Sequence, residues 1–458
     1  MMIKLRKILF ILLLCFSIVL VGCEFNTEED YHNWDSEIVK EATCTEDGII
    51  RYTKGSESHE DAIPALGHVS VTDSIPATCT EYGKDITKCD RCGEIITSKN
   101  NANKPTGHHF VTEIIQESVN GSIGIKKRYC EECEMVDSEY KYVNNGYSRY
   151  GKLHVEGANL VDKDNNPVQL IGLSTHGLHW YGEYVNEASL AAAKEAFNIN
   201  VFRFSLYTSE NGYCECSATE KERLYQLVLS GVKIATKLDM YAIVDWHMLG
   251  GGKNKDDRNP QYYQEEAKEF FDRITKDLAD YDNVFYEIMN EPNGSKVTWA
   301  ICKAYAEEII PIIRANCPDA IVLCGNPNYS SDLSSPRRNP LSFDNIMYTF
   351  HFYAGDEDMQ STTEVTKAYS AGLPIFITEH GGMDADGDGA IDYDSIARWY
   401  SALDARNISY VAWNISHKNE SSGILSSKKA NLDDFSNDNL KAWGKYYKAH
   451  IKERLGLK

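Results

Sequence analysis

The sequence predicts an α/β chain: a (β/α)8 TIM barrel over residues 147–458, preceded by a small β-rich repeat region. Three observations carry that expectation. Eight short β-like runs alternate with helical stretches along 147–458, and a closed barrel of this kind needs eight such pairs in roughly 250 residues or more. No glycine-rich phosphate loop follows the first run, which weakens the nucleotide-binding versions of a doubly wound open sheet. Upstream the texture changes, and short β-like segments recur with cysteines at matching places.

The chain opens on "MMIKLRKILFILLLCFSIVLVGC": a basic start, an apolar run from Ile8 to Val21, then Gly22-Cys23. Residues 1–22 read as an export signal, too short and wrongly flanked for a dedicated membrane span. Leu20-Val21-Gly22-Cys23 resembles the bacterial lipobox, which implies a lipid on Cys23 and tethering to the outer face of a membrane. Ordinary secretion and an uncleaved anchor are the alternatives, and all three export the protein.

Residues 23–146 form the repeat region. Two copies share an A-T-C-T-E-x-G core and close on Gly-His; a third keeps only a C-x-x-C. They are similar to tandem repeats of bacterial surface proteins. Within repeat two, Cys79, Cys89, Cys92 and His108 (or His109) offer a four-ligand zinc set. Repeat one has Gly55–Ser58 in place of the C-x-x-C, and repeat three lacks the T-C-T cysteine. Metal is therefore not essential to every unit. The expectation is no metal and no cofactor, with disulfides or thiols instead and a spacer role for the repeats.

In the barrel region the β-like runs are 168–174, 199–206, 240–247, 284–291, 320–326, 345–353, 374–380 and 409–416. Between them, stretches such as 186–197, 222–238, 265–281 and 297–316 repeat apolar residues at the three-to-four spacing of an amphipathic helix. Active sites of such barrels form at the C-terminal strand ends. Those ends carry Thr175-His176, Arg203, His247, Asn290-Glu291, Asn326, His351 with Tyr353, Glu379-His380 and Trp413-Asn414. Polar groups gathered at one end point to a cleft.

In "VFYEIMNEPNG" (284–294), Pro292 stops the fourth strand just after Glu291. Glu287, four residues deeper on the same face, is expected to be a buried carboxylate that needs a partner. Glu291 is the reactive candidate and Glu379, ending strand seven, its counterpart. Paired carboxylates across a cleft are what glycoside hydrolysis requires.

The ordered motifs "LIGLSTHGLHWYG", "NVFRFSLYTSENGY", "AIVDWHMLGGG", "YEIMNEPNG", "FHFYAG", "ITEHGG" and "YVAWNISHKNESSGIL" resemble glycoside hydrolase family 5, above all its bacterial endo-β-1,4-glucanases (cellulases). The resemblance implies a retaining enzyme with Glu291 as acid/base and Glu379 as nucleophile. It further implies that Asn290 meets the sugar 2-hydroxyl, that Arg203 and Tyr353 aim Glu379, and that His351 orients Glu291. His176, Tyr207 and His247 would line the site. Trp180 and Trp413 would stack on sugar rings, and Lys418 and Glu420 would grip hydroxyls. The family usually has an aromatic after the nucleophile; here it is His380, which could alter Glu379 or slow turnover.

A net charge of −21 argues against a nucleic-acid partner, whose binding needs a basic face, and fits a neutral β-glucan polysaccharide acted on by a monomer. The alternatives are a β-mannanase or xyloglucanase of the same fold, or a non-catalytic surface glycan-binding protein. A metal-dependent barrel hydrolase using His176, His179, His247 and His351 lacks a His-x-His pair on strand one. The loop Asp384–Asp392 nearly matches a calcium loop, but Ser395 stands where the bidentate Glu belongs.

Overall fold

The computed structural model describes residues 31–251 and 256–457, so the signal segment and Cys23 lie outside the described residues. The chain divides into two compact units. One ends at Phe110 and includes Cys130–Met135; the other comprises Val111–Tyr129 and Val136–Lys458.

The repeats fold as small three-stranded antiparallel sheets: β1 (Asp35–Lys40), β2 (Gly48–Lys54) and β3 (Glu57–Ile63), then β4 (Ser70–Ile75), β5 (Lys84–Cys89) and β6 (Ile95–Asn100). A third sheet follows from β7 (Phe110–Gln116), β8 (Ile123–Cys130) and β9 (Val136–Val143). Each T-C-T cysteine sits in the loop between the first and second strands of its sheet, and each C-x-x-C at the turn between the second and third. This placement corrects the within-repeat zinc set. Cys79 does not converge with Cys89 and Cys92. Cys89 and Cys92 gather with Cys44 and His68, while Cys79 and His108 gather with Cys130 and Cys133. The reason is geometric: the loop and the turn lie at opposite ends of the middle strand of one sheet.

In the second unit, Asn198 caps the chain leaving β9. Its Oδ1 accepts from the Val143 N–H and its Nδ2 donates to the Val143 carbonyl, both at 3.2 Å. A short hairpin, β10 (His154–Glu156) with β11 (Asn159–Val161), then leads to the barrel. Eight parallel strands close it in sequence order: β12 (Ile171–Thr175), β13 (Val201–Tyr207), β14 (Tyr241–His247), β15 (Val284–Glu287), β16 (Ile321–Cys324), β17 (Ile346–Tyr353), β18 (Ile375–Gly381) and β19 (Tyr410–Ile415). The expected helices form between them at Glu187–Phe197, Ala218–Lys237, Gln264–Asp277 and Trp299–Asn316. The starts of the first two follow from local chemistry. Asn186 accepts from the Ser189 N–H and Ser217 from the Glu220 N–H, satisfying amides that have no partner within the helix.

Strand alternation decides which side chains enter the barrel. Val201, Tyr241, Ile243, Phe285, Met347, Phe376 and Val411 share one apolar cluster inside it with Leu160 of the hairpin. Their outward neighbours Phe202, Ala242, Val244, Tyr286 and Tyr348 pack in a second cluster with the helices. Counting up by twos from the inner set reaches Arg203, Asp245 and Glu287, then Tyr207 and His247 at the mouth.

Two departures occur at the mouth. β15 ends at Glu287, so Glu291 lies just past the strand rather than ending it. The continuation stays tethered, with the Asn290 N–H donating to the Trp246 carbonyl and the Glu291 N–H to that of Met248. In β18 the register slips against both neighbours: Thr349 to His351 faces Phe376 to Glu379, and Tyr410 to Ala412 faces Ile377 to His380. β18 therefore holds one extra residue, a bulge that re-aims the side chains beyond it.

Candidate active site

The bulge decides the seventh strand's contribution. From inward Phe376, strict alternation would send Thr378 in, Glu379 out and His380 in. Instead Thr378 and Glu379 both face inward and His380 turns outward. The His380 Nδ1 lies 2.7 Å from the Val411 carbonyl and its Nε2 3.0 Å from the Tyr400 hydroxyl, among Phe352, Tyr410, Trp443 and Tyr447. Burial pushes it down to about 3, so it is neutral. The departure from the family pattern sits behind the barrel wall, away from the cleft.

At the mouth lies a cleft of about 840 Å³. Glu291 and Glu379 face each other across it, and ligand atoms of Glu291, His351 and Glu379 all lie within 4.8 Å of one another. Such a trio could hold a cation by distance alone. A guanidinium already occupies the role of counter-charge: Arg203 Nη1 is 3.0 Å from Glu379 Oε2.

Arg203 is wholly buried and spends its whole fork here. Its Nε donates to Glu287 Oε2 at 2.7 Å and its Nη2 to Asn290 Oδ1 at 2.6 Å, while Nη2 is ion-paired with Asp245 Oδ2 at 3.0 Å. Burial opposes its charge, but Asp245, Glu287 and Glu379 outweigh that and raise its pKa. The sequence-based alternatives, that Arg203 serves Glu379 or neutralises Glu287, are both realised. The other oxygen of Glu379 accepts from the Tyr353 hydroxyl at 2.8 Å.

Glu291 is held from below. Its Oε1 lies 2.8 Å from His351 Nδ1, while His351 Nε2 lies 2.8 Å from Thr378 Oγ1, which donates to Glu287 Oε1 at 2.7 Å. Burial disfavours a charged His351, yet the pull of nearby Glu287 and of hydrogen-bonded Glu291, with attraction from Glu379, overcomes it, pushing the pKa up to about 9. A protonated ring donates at both nitrogens, which matches two acceptors on opposite sides.

His247 behaves oppositely. Its Nδ1 lies 2.6 Å from Asp245 Oδ2 and its Nε2 3.3 Å from Asn290 Nδ2. Burial, then the nearby Arg203, pushes it down to about 3, so Nε2 is an acceptor for the amide. Asp245 was not anticipated among the site residues, although its parity with His247 two positions on was a usable signal. Thr378 was missed because only the bulge turns it and Glu379 to the same side.

Asn290 is fully buried behind Glu291, with Nδ2 also 3.2 Å from the Met248 carbonyl. The cleft wall opposite is aromatic. Tyr207 stacks on His247 at 4.1 Å, His247 on Trp413 at 5.3 Å, and Trp180 meets Tyr207 edge-on at 5.1 Å. His176 packs between Trp180 and Trp413. Lys418 and Glu420 pair at 2.6 Å on the rim. Glu210, Tyr329 and Asp356 also line the cleft and come from loops that strand-end reading does not reach. In the Asp384–Asp392 loop, Asp388 accepts from the Ser421 N–H and hydroxyl and Asp392 caps the next helix, so these carboxylates already hold protein donors.

Comparison with known proteins agrees with this geometry. A family profile, that of cellulase (glycosyl hydrolase family 5), matches residues 161–419. Endoglucanase A of Butyrivibrio fibrisolvens is 42% identical over 293 residues, covering 64% of this chain and 66% of that protein. Endoglucanase A of Evansella cellulosilytica is 44% identical over 261 residues, covering 57% and 51% respectively. The chain thus spans between half and two thirds of these curated relatives. Among solved structures, the catalytic domain of Thermobifida fusca endoglucanase Cel5A (E5), a glutamate-to-glutamine variant in complex with cellotetraose, superposes with a TM-score of 0.61. It is 35% identical, covering 67% of this chain and 99% of that one. By its barrel, its facing glutamates and the profile matched over residues 161–419, the chain belongs to glycosyl hydrolase family 5.

Proposed function

We propose that this chain is a retaining endo-β-1,4-glucanase acting on cellulose or related β-glucans. The observation that carries the reading is the close approach of Glu291 and Glu379, whose carboxylate oxygens lie within 4.8 Å. Retention needs carboxyl groups about 5–5.5 Å apart, whereas inversion leaves roughly 6.5–9.5 Å for a water between them. Endoglucanase relatives, and a neighbour solved with cellotetraose, support the substrate class.

The chemistry follows from the hydrogen bonds. Glu379, gripped by Arg203 at one oxygen and Tyr353 at the other, attacks the anomeric carbon. Glu291 gives its proton to the glycosidic oxygen, and the leaving chain departs as an alcohol. Glu291 then takes a proton from water, whose oxygen displaces Glu379 and restores both carboxyl groups. His351 engages Glu291 Oε1, which leaves Oε2 for the transferable proton. For Asn290 to meet the 2-hydroxyl, its Nδ2 would exchange the longer contacts to His247 and Met248. Trp180 and Trp413 present ring faces to sugar, and Lys418 with Glu420 would bind hydroxyls farther along.

We further propose that the enzyme is exported and tethered to the outer face of a bacterial membrane through a lipid on Cys23, working as a monomer with the repeats as a spacer. Among the described residues no helix is long and apolar enough to cross a membrane.

The test is reducing-end release from carboxymethylcellulose and, in parallel, galactomannan, with excess chelator. Cleavage of the cellulose derivative should survive chelation. It should fall by a factor of about 10²–10⁴ in Glu291→Gln and essentially vanish in Glu379→Gln. Cleavage of galactomannan alone would keep the mechanism and overturn the substrate, and no release from either would overturn both.

A further inference from the structure

We propose that the repeat region binds two zinc ions, each at a Cys3His site built across the boundary between consecutive repeats. The first site is Cys44, His68, Cys89 and Cys92; the second is Cys79, His108, Cys130 and Cys133.

The distances fit a tetrahedral ion. With Zn–S near 2.3 Å and Zn–N near 2.0–2.1 Å, tetrahedral edges are about 3.8 Å between sulfurs and about 3.6 Å between sulfur and nitrogen. Cys44 and Cys89 Sγ are 3.6 Å apart and Cys79 and Cys130 Sγ 3.7 Å. His68 Nδ1 lies 3.6 Å from Cys92 Sγ, and His108 Nδ1 3.4 Å from Cys133 Sγ. A disulfide brings its sulfurs to about 2.05 Å, and pairing Cys44–Cys89 and Cys79–Cys130 would leave a cysteine and a histidine over in each cluster. Three thiolates and an imidazole are the donor set zinc takes in structural sites.

The same frame is built twice. The Leu66 N–H donates to the Thr43 carbonyl in the first site, as Thr106 does to Thr78 in the second. The Asp90 N–H donates to Val69, as Glu131 does to His109. At the first site His68 Nε2 also faces Glu94 Oε2 at 3.5 Å, the kind of outer partner that fixes a metal-bound imidazole. At the second, Glu132 Oε2 lies 3.6 Å from Cys79 Sγ. That contact needs the thiol proton and must open when the metal binds.

A second observation points the same way. Among the described residues up to Phe110, Cys79 and Cys89 are the only buried hydrophobic side chains. Strands β1 and β6 are exposed along their whole length. Sheets this small have no apolar core to fold around, and structural metals supply what such a core would.

The shared sites also account for the uneven repeats. Repeat one supplies a cysteine and a histidine forward, repeat three supplies a C-x-x-C backward, and repeat two supplies both. Gly55–Ser58 and the missing third T-C-T cysteine are the unmatched halves at the two ends of a three-unit array. On binding, each site loses three thiol protons and carries a net charge of −1.

The test uses the full chain purified under mild reduction, with metal measured by mass spectrometry and cobalt(II) substituted for its sulfur-to-metal absorption. Wild type should hold two zinc ions per chain, as the two clusters require. Cys44→Ser with Cys89→Ser should lose one ion, because both changes fall in one site. Cys79→Ser with Cys89→Ser should lose both, although these residues share a repeat. Polymer cleavage reports that the barrel of each variant is folded, and the ion retained in Cys44→Ser with Cys89→Ser reports that the second site still forms. No retained zinc in wild type, a native Cys44–Cys89 disulfide, or one ion remaining in Cys79→Ser with Cys89→Ser would overturn the proposal.

Discussion

Arg203 meets three carboxylates and an amide without touching solvent, so each partner neutralises part of a charge that could not otherwise be buried. Removing Glu287 leaves the guanidinium short of one anion. Glu287→Ala is therefore expected to cost about 3–5 kcal/mol, read from urea midpoints at pH 7. The need for a partner at Glu287 was legible, since a carboxylate four residues behind the strand end falls on the same face. The choice between its two possible uses of Arg203 was not, because sequence says nothing about how a five-donor fork divides itself. Asp245 shares the face of His247, but what it does there depends on Arg203 lying across from it.

At the scale of elements, all eight strands and the helices that separate the first five of them were readable, because apolar periodicity is a local property. The bulge in β18 was not. An extra residue shows only as a register slip against β17 and β19, and those partners lie far off in sequence. It makes His380 a wall residue rather than a site residue. His380→Phe should accordingly leave kcat/KM on carboxymethylcellulose within a few-fold of wild type. It should lower stability by about 1–3 kcal/mol through the Val411 carbonyl and Tyr400 hydroxyl that lose a partner. A large drop in kcat with stability unchanged would place His380 in the chemistry after all. Deleting Thr378 should restore strict alternation with Glu379 still facing inward, while removing the hydroxyl that joins His351 to Glu287.

For the whole molecule, buried histidines set opposing pH limits. His351 has its pKa pushed up from 6.5 to about 9. Its contribution is complete below about pH 6.5 and is lost as pH rises through about 9. His176, His247 and His380 are pushed down to about 3, chiefly by burial. Between about pH 6.5 and 3 the unfolded chain binds protons that the folded chain refuses, so stability falls with acid. These histidines together place a stability maximum near pH 6.5. His351→Gln should flatten the alkaline limb, with the wild-type advantage shrinking by about 3 kcal/mol between pH 6.5 and 9. Denaturation curves at both values decide it, and an advantage that does not change with pH would refute the raised pKa. The change of texture between repeats and barrel is visible in composition, but the ligand sharing between repeats is not, since matching motifs suggest self-contained units. Sharing has an arithmetic of its own. A middle repeat carries one half-site facing each way, so copying repeat two in place would add one complete site and strand no ligand. The repeat region could thus gain or lose units by gene duplication without redesign, its length free to vary while the chemistry of the barrel stays fixed.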